Sequence, residues 1–127
     1  MPDKSITQKL QIKVNRTVLF VNAPGDYDTK LGTLPEGVFV MKKAHGPIDL
    51  IQVFVNSRRE LEEQLPRLKS LLTPGGVLWV TYHKGTSHTA TDINRDSIAS
   101  YAKTIGMQAV AQIAIDADWS ALRLKTV

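Results

Sequence analysis

The chain has 127 residues, no cysteine, and 16 lysines and arginines against 12 aspartates and glutamates, a formal net charge of +4. That length suits one domain able to bury about two thirds of its unfolded surface, and the missing thiols exclude disulfides and metal–thiolate centres built from its own side chains. The apolar runs are strand-sized and Met1 to Leu10 lacks a signal-peptide core, so the expectation is a cytoplasmic protein without a membrane span, folded as a single domain over residues 1–127.

In chain order, residues 1–8 are polar and expected to fray, while Ser5 to Ile12 has the spacing of one helical turn that docks Ile6, Leu10 and Ile12. Thr17 to Val21 is a continuous apolar run bounded by Arg16 and Asn22-Ala23-Pro24-Gly25, which reads as a central strand buried on both faces. Gly37 to Met41 predicts a second, shorter strand, and Asp49 to Val55 a third. The connection between them, Lys42 to Ile48, is short for a parallel crossover; the parallel arrangement is retained. Ser57 and Glu60 have capping-box spacing, and Leu61, Leu65, Leu68 and Leu72 follow at helical intervals. Pro66 is expected to kink this helix by removing the bond to the Glu62 carbonyl. Thr73-Pro74-Gly75-Gly76 is read as its stop and Val77 to Tyr82 as the fourth strand.

After a polar loop from His83 to Asp92, a second helix is predicted with Asn94 as cap. Ile93 and Ile98 form its staple, Ile98, Tyr101, Ala102 and Ile105 its buried stripe, and Gly106 its end. Met107 to Ile115 and Trp119 to Val127 are two strands joined by a short link, hence an antiparallel hairpin. Arg123 and Lys125 are expected to guard the last strand as a sheet edge. Alternating strands and helices make the fold class α/β, a three-layer Rossmann-like, mostly parallel sheet of about six strands with a C-terminal antiparallel hairpin.

The run Leu72-Thr73-Pro74-Gly75-Gly76-Val77-Leu78, set between a helix and a strand in this element order, resembles class I S-adenosylmethionine (SAM)-dependent methyltransferases, where a Pro-Gly-Gly turn often precedes the fifth strand. The stretches Lys4 to Lys13, Val18 to Gly25, Leu34-Pro35-Glu36-Gly37, Pro74 to Lys84, Thr91 to Asp96 and Trp119 to Leu122 are also similar to a family of small bacterial proteins of unknown function regarded as methyltransferase-like. Both resemblances imply a methyltransferase-like topology lacking one strand–helix unit. The cofactor loop of that fold carries an acid and two or three glycines after the first strand, letting the backbone approach the ligand. Here Asn22-Ala23-Pro24-Gly25-Asp26 has one glycine, and the second strand ends in Lys42-Lys43 where a ribose-binding acid is usual. A lysine cannot accept hydroxyl hydrogen bonds. The expectation is therefore no cofactor, with SAM improbable.

Ligands of open α/β sheets bind outside the carboxyl ends of the strands. That rule gathers Asn22 to Asp28, Asn56 to Arg59 and Tyr82 to Asp92, and from them Asn22, Pro24, Gly25 and Asp26, with Lys84, Thr86, Ser87 and Asp92 as a second group, form a candidate ligand site. The second group offers a cation, hydroxyls and a following helix start, the parts of an anion site; the commoner origin of such a cluster is a surface loop whose polar residues cap a helix. His45, His83 and His88 do not have metal-ligand spacing, so no metal is expected, and no catalytic set stands out. Trp119 reads as a packed edge residue, with a pocket or dimer-interface role as the alternative. Lys42-Lys43 and Arg58-Arg59 concentrate part of the modest charge, and the few aromatics lie in apolar runs, so nucleic acid is not the expected partner. The reading that follows is an uncharacterised methyltransferase-like domain that is non-catalytic and acts by protein association, for instance as a homo-oligomer. The alternative is a small-ligand, nucleotide- or phosphate-binding protein, or a divergent SAM-dependent methyltransferase, using the loops at the strand ends.

Overall fold

A computed structural model describes residues 5–84 and 92–127. Its centre is a six-stranded sheet in the order β2-β1-β3-β4-β6-β5. The strands are β1 (Thr17–Val21), β2 (Phe39–Val40), β3 (Ile48–Phe54), β4 (Leu72–His83), β5 (Met107–Ala114) and β6 (Trp119–Thr126). The first four run parallel and β6 pairs antiparallel with both β4 and β5. Helices α1 (Ile6–Lys9), α2 (Tyr27–Leu31), α3 (Arg58–Lys69) and α4 (Arg95–Thr104) complete the described elements. None of the described helices is long and apolar enough to cross a membrane.

Side chains alternate across each strand, and the two sets bury against different helices. Leu19, Ile51, Val53, Leu78 and Val80 share a cluster with Leu61, Leu65 and Leu68 of α3 and Ile98 and Ala102 of α4. Val18, Leu50, Phe54 and Trp79 instead pack with Ile6 and Leu10 of the N-terminal segment and with Tyr27 and Leu31 of α2. This second cluster corrects the expectation of a frayed N-terminus over residues 5–8. Ser5 caps α1 in a full capping box, Ile6, Leu10 and Ile12 are buried, and Trp79 Nε1 donates to the Leu10 carbonyl at 3.1 Å.

The short connection after β2 is a bare loop, and its length is sufficient because β2 is only a two-residue strand. It pairs with Thr17 and Val18 at the start of β1, so the chain has little distance to return before entering β3. In α3, Ser57 Oγ accepts from the Glu60 N–H at 3.2 Å. The helix runs through Pro66. Proline cannot donate to the Glu62 carbonyl, and the Tyr101 hydroxyl of α4 donates to it instead, at 3.3 Å.

Two expected boundaries change. Helix α3 ends at Lys69 with Ser70 as its C-cap, so Thr73 to Gly76 does not stop the helix. It lies inside β4, where Ile48 pairs with Leu72 and Leu50 with Val77; four residues therefore face Asp49 alone. Secondly, β6 is interior and β5 is the edge. Arg123 and Lys125 thus guard no edge. The hairpin turn is closed by Asp116, whose Oδ1 accepts from the N–H groups of Asp118 and Trp119 at 2.8 and 2.9 Å.

Candidate functional site

The crossover from β1 to β2 carries α2 over one face of the sheet, and the crossover from β3 to β4 carries α3 over the other. This divergence makes a topological switch point at the carboxyl ends of β1 and β3, where ligands of open α/β sheets bind. On its β1 side stands the turn from Asn22 to Asp26. Asn22 has a φ of 60°, a left-handed conformation in which asparagine is tolerated better than most residues. The Tyr27 N–H closes the turn on the Pro24 carbonyl at 3.0 Å. An added Cβ at Gly25 would meet nothing within 4 Å. Asp26 precedes α2 without capping it; its carboxylate lies 3.4 Å from Lys30 Nζ and is well exposed.

A buried polar relay pins this turn to the sheet. The Tyr27 hydroxyl donates to Gln52 Oε1 at 2.6 Å, and Gln52 Nε2 donates to Thr81 Oγ1 at 2.9 Å. Gln52 and Thr81 are fully buried, so each polar group needs its neighbour. Burial is the main reason that the Tyr27 phenol is pushed well above the ordinary tyrosine pKa, with the Gln52 bond opposing and Asp116 adding to the rise. Around it the rings of Phe20, Tyr27, Phe54 and Trp119 meet edge to face in succession, with centroids 5.8, 4.8 and 5.1 Å apart.

On the β3–β4 side, His83 is the last residue of β4. Its ring stacks on Trp119 at 3.9 Å, and its Nε2 lies 2.9 Å from Asn56 Oδ1. An amide oxygen accepts, so Nε2 is the donor in that contact; Nδ1 is buried without a hydrogen-bond partner among the described residues. Leaving such an atom unsatisfied costs about 1–3 kcal/mol. The Arg58 N–H in the first turn of α3 donates to Asp92 Oδ1 at 2.8 Å.

The sequence-derived candidates therefore separate. Asn22, Pro24, Gly25 and Asp26 form one continuous turn at the carboxyl edge. Lys84 follows β4, its N–H bonded to the Asp118 carbonyl at 2.9 Å. Asp92 serves the start of α3, while Asn94 caps α4. Thr86 and Ser87 lie outside the described residues. The carboxyl-end rule gathered Asn56 and His83 but left out Trp119, which the structure places against them. Asn56 follows β3, His83 ends β4 and Trp119 begins the antiparallel β6, so only knowledge of the strand order would have added Trp119 to the other two.

No family model matches this sequence, and no curated protein matches it either. Solved structures do match in fold. A TehB-like SAM-dependent methyltransferase from Corynebacterium glutamicum superposes with a TM-score of 0.62 at 11% identity, over 98% of this chain and 89% of the other. A SAM-dependent methyltransferase from Aquifex aeolicus gives 0.63 at 11% identity, over 94% and 87%. A fibrillarin pre-rRNA processing protein from Methanococcus jannaschii gives 0.60 at 13%, over 91% and 68%. The fold is methyltransferase-like.

Those neighbours correct the expectation that no cofactor is bound and that SAM is improbable, because this architecture belongs to proteins named as SAM-dependent. Two local features bear on the residues from which that expectation was drawn. The turn after β1 has a single glycine, Gly25, and Asn22 itself takes the left-handed conformation. The lysines after β2 were given the place of a ribose-binding acid, but β2 stops level with Val18 whereas β1 continues to Val21.

Proposed function

We propose that this chain is a methyltransferase-like domain that binds SAM, or a related nucleoside, in the crevice between the carboxyl ends of β1 and β3. The observation that carries the reading is the divergence of the two crossovers to opposite faces at that point, beside a turn with open space over Gly25. The residues present fit such a group. Asn22 and Asp26 bring hydrogen-bond acceptors for ribose hydroxyls, and Asn56 brings another from the opposite side. SAM bound there would supply an electrophilic methyl group. His83, held by Asn56 and Trp119, stands at the β4 end of the same edge.

Thermal denaturation with SAM and S-adenosylhomocysteine tests this. A ligand at about a hundred times its dissociation constant should add roughly 2.7 kcal/mol. Gly25→Val fills the open space with little expected effect on folding, within about 0.5 kcal/mol, and should abolish the stabilisation. No shift in the unaltered chain refutes the proposal.

A second reading, association through the β2 edge without catalysis, is favoured by one observation: Phe39 is 62% exposed and Val40 is exposed beside it on that edge. Sedimentation of the chain and of Phe39→Ser separates it, since only association makes the mass depend on Phe39.

A further inference from the structure

The opposite, amino edge of the sheet holds a hollow of about 320 Å³ between the N-terminal segment and the bulge of β4. Lys13, Arg16 and Arg123 line it, together with Asp49 and the bulge residues Thr73 to Gly76. An adjoining hollow of about 370 Å³ shares Gly75, Gly76 and Arg123 and adds Lys125. Among the described residues none of these four cations forms an ion pair. Arg123 Nη1 makes one neutral hydrogen bond, to Gln11 Oε1 at 3.2 Å. Asp49 is the acid in this lining, and both its oxygens are occupied: Oδ2 accepts from the Thr17 N–H at 2.8 Å and Oδ1 from the Thr73 hydroxyl at 3.2 Å. It therefore braces the bulge against β1.

We propose that this amino-edge cavity binds a small phosphorylated, non-aromatic molecule, such as a sugar phosphate. Guanidinium and ammonium groups suit phosphate oxygens, and converging unpaired cations favour an anion between them. At Gly75 the backbone has a φ of +80° and an added Cβ would meet nothing within 4 Å, so a ligand has clear access to the bulge. The volume lies at the small end of the ligand-site range of about 300–1,000 Å³. No lining residue is aromatic, which leaves nothing on which a nucleobase would stack. Phosphate is the group recognised, and the site is separate from the carboxyl-edge crevice.

The test is calorimetric titration of the whole chain with inorganic pyrophosphate at about 0.15 M salt, where long-range attraction is screened. Saturable binding is expected. Lys13→Gln and Arg16→Gln, both at exposed positions, should each weaken it about tenfold, and Arg123→Gln more, with Arg123→Lys recovering part of the loss. Lys42→Gln, which removes an exposed lysine outside this lining, should leave affinity within about twofold. Melting temperatures of the Arg123 variants separate lost binding from lost folding. Absence of binding overturns the proposal. So does an equal loss in Lys42→Gln, which means diffuse attraction only, or displacement of pyrophosphate by a single-stranded oligonucleotide with a steep salt dependence, which means a nucleic-acid surface.

Discussion

The two edges of this sheet are built differently. At the carboxyl edge, strand ends are tied together by hydrogen bonds and rings: the Tyr27–Gln52–Thr81 relay, the Asn56–His83 bond and a succession of aromatic contacts ending in Trp119. At the amino edge a strand irregularity and an N-terminal segment leave space, and cations without acidic partners surround it. Hydrogen-bonded relays hold a turn in one shape whether or not a ligand is present, whereas cations that outnumber the one acid beside them are stabilised by an anion bound between them. The nucleoside site proposed above lies at the first edge and the proposed phosphate cavity at the second.

The largest expected effect removes the anchor of the amino edge. Trp79 is 1% exposed and holds the N-terminal segment through the Leu10 carbonyl, so Trp79→Ala should cost about 3–5 kcal/mol, read from denaturant unfolding. If the cavity depends on that segment, phosphate binding falls even where the variant remains folded. Next is Tyr27→Phe, which leaves Gln52 Oε1 buried without its donor and should cost about 1–3 kcal/mol. The same residue sets a pH dependence. The folded state favours the neutral phenol, so its contribution is complete below about pH 10, the unfolded tyrosine pKa, and is lost as pH rises beyond it. The alkaline fall in stability should therefore be shallower in Tyr27→Phe; an unchanged slope would mean the relay does not hold the phenol. The smallest effect is Gly75→Ala. Its φ of +80° makes any side chain strained despite the open space, and the expected cost is about 1–2 kcal/mol, confined to the amino edge.

Most elements were legible because their signals are local. Leu61, Leu65 and Leu68 recur on one face of α3, Asn94 caps α4, and the apolar run at Val18 and Leu19 marks a strand covered on both sides. What failed depended on pairing. Pro74-Gly75-Gly76 has the same chemistry as a helix stop, and only the register between Asp49 and β4 makes it a bulge. Arg123 was read as an edge guard because a hairpin does not state which of its strands faces the neighbour; β6 does. The position of the Asn22–Asp26 turn was legible because it follows directly from the end of β1, whereas the bond of the Asp92 carboxylate to the Arg58 N–H joins distant parts of the chain and has no local signal.

The most direct test of the two-edge account is amide NMR mapping of two ligands on the same protein. Titration with S-adenosylhomocysteine should shift Asn22, Gly25 and Asn56 and leave Arg16, Gly75 and Arg123 unmoved, and pyrophosphate should do the reverse. Both ligands shifting the same set, or S-adenosylhomocysteine shifting neither edge, would contradict it.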